Sequence, residues 1–524
     1  MNHRQRWTLI AAVLGSSIVF VDSSVVTVAL PRIGKELPST FLGVLEGLNY
    51  VYSGYLLTLS ALLILAGALA DFYGRRRIFM IGIVGFGVTS VLCGLAPNME
   101  FLVLSRVLQG AAGAILVPGS LALLTAAFTG EAQGRAYGVW AAATAATTIL
   151  GPFIGGVLVD TISWRVAFLI NVPLVVVAVW ATALYVPESR NEKASGHFDW
   201  LGALVGAIAV GGLSFGAIYG QQRDWRDPLA YIALAAGAVA TIAFPFLMRR
   251  SRDPLVPLEL FRSRNFTITN ISTFLIYGAL YVTFYYLALF LQLVLGYSAS
   301  AAGLAGIPGG VLLVVLSTRF GALAVRRGPK IFMTVGPLLM AIGVLWFARV
   351  PATSAAWVLL PGDLATWIPP RDWFIDFLPG QIIFGFGLAM MVAPLTTALM
   401  TSVPVRNSGV ASAVNNAISR VGPQLAGALI FVAITATFYS GMAARIPGAD
   451  TSDPAFRREY PPLKAPPTSD PHAEAARDQS ADAFHLAMYV GAALLLAGAA
   501  TNAVGISNTA AMEATHRRTP VTAA

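Results

Sequence analysis

Charge is scarce in this sequence: Asp, Glu, Lys and Arg make up 11% of its 524 residues, where a soluble globular domain carries about 25%. That shortage excludes an ordinary water-covered surface. Cysteine is nearly absent as well, and the single Cys93 rules out an intrachain disulfide or a cysteine metal cluster. Histidine occurs five times, at 3, 197, 472, 485 and 516, mostly in tails and loops. No His-Glu-x-x-His pair, Walker phosphate loop or clustered nucleophile and base is present, which argues against a metalloprotease, ATP coupling and enzymatic chemistry in general. A sensor is disfavoured too, because the stretch after about residue 507 is too short for a signalling domain.

Apolar length is what the chain has in quantity. Hydrophobic residues form 56% of it and the mean hydropathy is +0.72. The net charge of +9 sits in short basic clusters between apolar runs, not along one polar face, so nucleic acid is not an expected partner. Thirty of the 34 basic residues are Arg, consistent with a GC-rich bacterial genome. Fourteen apolar windows can cross a hydrocarbon layer of about 30 Å. They fall near 8–30, 48–70, 78–96, 100–122, 135–159, 165–185, 199–220, 229–248, 268–293, 302–324, 330–350, 374–400, 408–438 and 483–507. The first continues past Asp22 to Pro31 with no small-residue cleavage site, so it reads as a retained helix.

Orientation follows from the basic residues. Arg75, Arg76 and Arg77, Arg249 and Arg250, and Arg326, Arg327 and Lys330 all fall in connections on one side, predicting a bacterial cytoplasmic membrane protein with both termini cytoplasmic. The segment 441–482, rich in Pro, Asp and Arg without an apolar period, reads as a long, partly disordered external loop.

The chain also repeats itself. Gly67-Ala-Leu-Ala-Asp71-Phe-Tyr-Gly74 recurs 254 residues later as Gly321-Ala-Leu-Ala-Val325-Arg-Arg-Gly328, and Gly151-Pro152-Phe-Ile-Gly155-Gly156 recurs 271 residues later as Gly422-Pro423-Gln-Leu-Ala426-Gly427. Both offsets equal eight helices. The expected fold is therefore an all-α membrane protein of two six-helix bundles, 1–190 and 263–507, with a two-helix insert and its linkers at 191–262 and a tail at 508–524. Repeat halves around a central site are a common route to alternating access.

Asp22 lies deep in the first helix, where a carboxylate costs ~2.5 kcal/mol or more unless it faces protein or water. Such a group can bind and release a proton. Arg106, in the fourth helix, has no acidic residue following within a helical turn, so its partner must come from another helix, and Asp22 is the obvious candidate. Gly67 to Arg77 combines small packing residues with Asp71, a turn-permitting Gly74 and three Arg, the parts of a latch at a helix end; for the Arg cluster alone, a topology signal suffices. Gly151 and Pro152 with Gly155 and Gly156 place a kink beside a close-packing face. Tyr277, Tyr281 and Tyr285 share one helix face, either as packing or as a cavity lining suited to organic cations.

These motifs resemble the major facilitator superfamily, in particular its fourteen-helix drug:proton antiporter branch, over about residues 8–505. The similarity rests on Asp22-Ser-Ser-Val-Val-Thr27-Val-Ala-Leu-Pro31, Gly67 to Arg77, Leu102 to Gly110, Gly151 to Gly156, Trp164 to Pro173, Phe198 to Gly202, Pro257 to Phe261 and Gly409 to Asn416. Thr27, Tyr50 and Thr147 depart from the branch's usual residues. The resemblance implies proton-coupling roles for Asp22 and Arg106. It also implies a gating latch of Gly67, Asp71, Gly74, Arg75 and Arg76, and a leak-preventing kink at Gly151 and Pro152. The function expected is export of an amphiphilic drug or metabolite, neutral or singly cationic, by a lipid-embedded monomer that uses protons and no cofactor. Export of a lipid or other native product is the alternative.

Overall fold

The computed structural model describes residues 1–40, 44–190, 197–223, 225–360, 362–446, 448–467 and 469–508. Fourteen long helices account for most of them, and no strand occurs among the described residues. They are α1 (His3–Glu36), α2 (Val44–Tyr73), α3 (Arg75–Gly94), α4 (Met99–Ala127), α5 (Gly130–Thr161), α6 (Val166–Tyr185), α7 (Trp200–Gln222) and α8 (Pro228–Arg250). The remaining six are α9 (Arg264–Val294), α10 (Ala299–Arg327), α11 (Lys330–Phe347), α12 (Trp373–Thr401), α13 (Ser408–Arg445) and α14 (Ala473–Gly505).

Local chemistry sets the ends. A capping box of Asn2 and Gln5 opens α1, and Asn98 caps α4 by accepting the Phe101 amide at 2.9 Å. Gly74, at φ +112°, separates α2 from α3, a conformation that side chains rarely adopt. The next cap is supplied at long range: the Glu188 carboxylate accepts the amides of Arg76 and Arg77, both at 3.1 Å. Its counterpart in the second half is Asn508, whose Oδ1 accepts the Lys330 amide at 3.1 Å beyond Gly328, at φ +84°.

Helices α1–α6 pack on one another, as do α9–α14, while α7 and α8 pair outside and lean on α2 and α13. The halves meet along two seams, α2 with α13 and α5 with α10. These are the helices that carry the two internal repeats, so the seams are related as the repeats are. A Cβ at Gly67 would collide with the Gly409 carbonyl and Ala413, and one at Gly134 with the Gly321 carbonyl. Backbone meets backbone at both seams because the sequence supplies glycine at the crossings.

The start of α1 and the end of α14 lie at the same end of the bundle, and the close glycine crossings are at that end. At the opposite end of α10, no atom lies within 4 Å of a Cβ position at Gly303.

One expectation is corrected here. The 441–482 connection is shorter than expected: α13 continues to Arg445 and α14 begins at Ala473, with a short helix at Pro454–Glu459 between them. Tyr460 and Leu463 are buried, and the Tyr460 hydroxyl donates to Asp470 at 3.0 Å. The helix ends were hidden by their polarity, because a hydropathy window stops where the membrane stops while Ala-rich helix continues into water.

Candidate functional site

Asp22 and Arg106 are brought together at the centre of the first half, each 0% exposed. Arg106 Nη1 donates to Asp22 Oδ2 at 2.5 Å and to Gln109 Oε1 at 2.6 Å, and its Nε donates to the Val51 carbonyl at 3.1 Å. Asp22 Oδ1 accepts from Gln109 Nε2 at 3.0 Å and from Asn171 Nδ2 at 3.1 Å. Ser90 Oγ receives the same two amides at 2.8 and 3.3 Å. The Tyr55 ring lies 4.0 Å from the Arg106 guanidinium carbon.

Helix geometry explains the assembly. Arg106 and Gln109 are three residues apart and so share a face of α4. Gly110 lets that face approach α2, since a Cβ there would strike the Tyr55 carbonyl and the Thr58 hydroxyl. Asn171 follows the break at Ile170 in α6. A buried ion pair is sustained only when hydrogen bonds satisfy its remaining lone pairs and protons. The carboxylate here has three donors, whereas Arg106 Nη2 and Asn171 Oδ1 are buried without a partner among the described residues. The carboxylate is therefore the better satisfied member, and protonating it would strand the guanidinium.

Gln109, Asn171 and Tyr55 were not singled out as site residues by sequence reasoning. An amide within an apolar helix looks neutral in a hydropathy window. The available signal was the three-residue spacing from Arg106.

Asp71 and Arg75 bridge the first seam. Asp71 Oδ1 accepts Arg75 Nε and Nη2 at 2.9 and 2.8 Å, while Oδ2 accepts the Val410 amide at 2.9 Å in the first turn of α13. A carboxylate at a helix N-terminus is stabilised by the unpaired amides there. Arg75 also donates to the Val405 carbonyl. Gly67 and Gly74 serve the crossing and the turn already described. Arg76, expected beside them in the gating motif, bonds elsewhere: its guanidinium donates to the Ala183 carbonyl at 2.6 Å, within the first half. Successive helix residues point about 100° apart, so Arg75 and Arg76 cannot both face α13.

Gly151 and Gly155 press α5 onto α1 immediately beyond Asp22. A Cβ at Gly151 would overlap the Ser24 hydroxyl, and one at Gly155 would come within 2.7 Å of Val25 Cγ1. The side-chain positions of Pro152 and Gly156 lie outside the described residues, and the α5 helix is continuous through them.

The tyrosine stripe divides. Tyr277 and Tyr281 lie side by side with their rings tilted by 37° and the ring centroids 6.5 Å apart. Tyr285 is 59% exposed and makes its ring contact with Tyr286 at 5.2 Å. Tyr285 is thus not joined to the other two. Among the described residues no group of His, Cys, Asp and Glu is arranged to hold a metal ion.

Residues 12–427 match the family model described as Major Facilitator Superfamily. The chain is 35% identical to the multidrug resistance protein Stp of Mycobacterium tuberculosis, over 82% of this chain and 76% of that protein. It is 31% identical to the methylenomycin A resistance protein of Bacillus subtilis, over 83% of this chain and 89% of that one. In fold it is similar to the human organic anion transporter MFSD10, with a TM-score of 0.56, 13% identity and coverage of 94% of this chain and 100% of that one. It is also similar to the proton:xylose symporter XylE, with a TM-score of 0.54, 17% identity and 94% coverage of each chain.

Proposed function

That this chain belongs to the Major Facilitator Superfamily is the premise from which we propose that it exports amphiphilic small molecules in exchange for protons. As a family member it is a multi-pass membrane transporter and not an enzyme. Drug or antibiotic export is favoured by the resistance proteins that it resembles. Proton coupling is our reading of the Asp22 site, and the observation that carries it is the sealed carboxylate held by Arg106, Gln109 and Asn171.

The mechanism follows from charge balance. With Asp22 ionised the pair is neutral and packs without water. A proton taken up by Asp22 removes the counter-charge of Arg106, and an unpaired buried guanidinium favours a conformation that admits water or another partner. Release of that proton on the other side restores the pair.

We read the termini as lying in the cytoplasm of a bacterial cell, on the strength of the charge asymmetry of the connections, so that the closed seams face inward. The working unit is a monomer within lipid, and the two six-helix bundles rock about the seams.

The test is flux in proteoliposomes under an imposed pH gradient. Asp22→Asn keeps the size and loses the exchangeable proton, so substrate flux should stop responding to the gradient while insertion is normal. Gradient-driven flux at the unaltered rate in that variant would remove Asp22 from coupling.

A further inference from the structure

Two connections leave the bundle at the end opposite the termini, and they differ in chemistry. The 446–472 connection carries seven charged residues, whereas from Val350 to Pro370 Asp363 is the only one. That second stretch is nonetheless folded. Trp346 Nε1 and Arg349 Nη2 both donate to the Ile375 carbonyl, at 3.1 and 2.9 Å, and so bring its two ends together. Ser298, just before α10, donates its amide to the Trp357 carbonyl and accepts the Leu359 amide on its hydroxyl, both at 3.1 Å. Trp357 Nε1 donates to the Thr366 carbonyl at 2.9 Å, and Thr366 Oγ1 accepts the Leu360 amide at 2.9 Å. These bonds hold a single helical turn, Leu364–Trp367, in which Asp363 accepts the Ala365 amide at 3.0 Å. The one acid of the stretch is thus spent on local structure.

What this fold presents to its surroundings is apolar. Trp357 and Leu359 are buried against the second half, while their neighbours Val358 and Leu360 are exposed. Leu364 and Ile368 are 78% and 71% exposed, and Trp367 is exposed beside them. Rings lead from this patch to the helices: Trp357, bonded to the turn, lies 5.8 Å from the Trp373 ring, and Trp373 lies 5.0 Å from Phe374. Phe374 and Ile375 are exposed at the start of α12, and α11, packed on α12, carries the exposed stripe of Leu338, Ile342 and Leu345. In a membrane transporter that stripe meets acyl chains. Arg349, 3.7 Å over the Trp346 ring, marks its outer limit, since Trp rings and the heads of long basic side chains collect where hydrocarbon gives way to headgroups.

An apolar face continuous with a lipid-facing surface is a membrane contact. We propose that the 350–370 connection is an interfacial anchor: Leu360, Leu364, Trp367 and Ile368 enter the boundary between headgroups and acyl chains of the phospholipid leaflet at the end opposite the termini. The first half has no counterpart, because α3 and α4 are joined by residues 95–98 alone. The leaflet therefore grips the second bundle and leaves the first free to rock against it. This depends on the chain's being a membrane transporter and is independent of proton exchange.

The experiment uses the full chain with Cys93→Ala, reconstituted in vesicles of phosphatidylethanolamine and phosphatidylglycerol. A nitroxide is placed on a single cysteine replacing Leu364, Ile368, Ile342 or Glu459. Its collisions with oxygen, which concentrates in hydrocarbon, are compared with those of a water-soluble nickel chelate. Ile342 on α11 is the lipid reference, and Glu459, exposed in the charged connection, is the water reference. Labels at 364 and 368 should favour oxygen over nickel as the label at 342 does. Nickel preference at both, matching 459, would overturn the anchor. So would exclusion of both reagents, whether by a second copy, shown by spin–spin broadening that vanishes on dilution with unlabelled protein, or by this chain covering its own patch. Leu364→Asp together with Ile368→Asp removes little packing, because both side chains are exposed, and should shift a label at position 360 from oxygen preference to nickel preference. A label at 360 that keeps its oxygen preference in that variant would also count against the anchor. Should the double variant fail to insert, the labels at 364 and 368 decide alone.

Discussion

The two seams at the closed end are related by the internal repeat, yet they are held in opposite ways. At the α2–α13 seam the ion pair is dry: the Arg75 and Asp71 side chains are 2% and 7% exposed. At the α5–α10 seam Arg326 Nε donates to Glu131 Oε2 at 2.6 Å with side chains 61% and 28% exposed, and Arg135 shares the same carboxylate. The glycine crossings beneath them are alike. Steric fit is therefore duplicated between the seams, while electrostatic strength is concentrated in one. The acid has also changed sides, because the repeat places Val325 where Asp71 would stand, and Glu131 on α5 takes up the pairing. Duplication preserved the shape of the closure, and charge gave the two seams different strengths.

Breaking the dry pair should have the largest effect. Asp71→Ala leaves Arg75 buried and uncompensated and strips the cap from α13, at a cost of about 3–5 kcal/mol to the closed state. Spin-label distances between the ends of α2 and α13, in a Cys93→Ala background, should shift from a closed to an open population; an unchanged distribution would refute the dominance of this seam. Next in size are the crossings. Gly67→Val and Gly134→Val each drive a side chain into a carbonyl of the opposite half, and each should cost about 1–3 kcal/mol. The comparison requires the two to be nearly equal, so a large gap in the same distance measurement would break it.

Gly151→Ala should be comparable or smaller in stability, but it acts on Asp22 through Ser24. The expected outcome is faster proton leak in substrate-free liposomes at normal expression, and an unaltered leak would count against any link between α5 and the proton site. The smallest effect belongs to Glu131→Gln. An exposed pair is worth about 0–1 kcal/mol, and even that should disappear near 1 M salt, where the Debye length falls to about 3 Å. A salt-independent loss as large as that of Asp71→Ala would overturn the distinction between wet and dry seams.

Much of this was legible because membrane helices announce themselves by length. The glycine strings at 67 and 321 revealed the internal repeat by their offset, and the structure places both on seam helices. Arg106 also declared that it needed a partner by lacking one nearby, and the structure supplies Asp22. What stayed hidden depends on direction and context. Arg75 and Arg76 are indistinguishable as letters, and only the helix turn sends one to α13 and the other to α6. Gln109 and Asn171 carry no charge to attract notice, although they hold the carboxylate. The ends of the 441–482 segment were over-read as loop because polar residues were taken for the end of a helix.

The contact of Gly151 and Gly155 with Ser24 and Val25 has a mechanical consequence. A knob seated against two small residues one turn apart resists sliding along the helix axis and tolerates tilting. α5 is thereby a lever, pivoted on the Gly134–Gly321 crossing and engaged with α1 at Gly151, about 25 Å away at 1.5 Å per residue. On that arm a tilt of roughly 5° at the pivot displaces the turn beside Asp22 by about 2 Å, close to the difference between a hydrogen bond and none. A few degrees of tilt at that crossing would therefore be geared into making or breaking the grip on a single buried carboxylate.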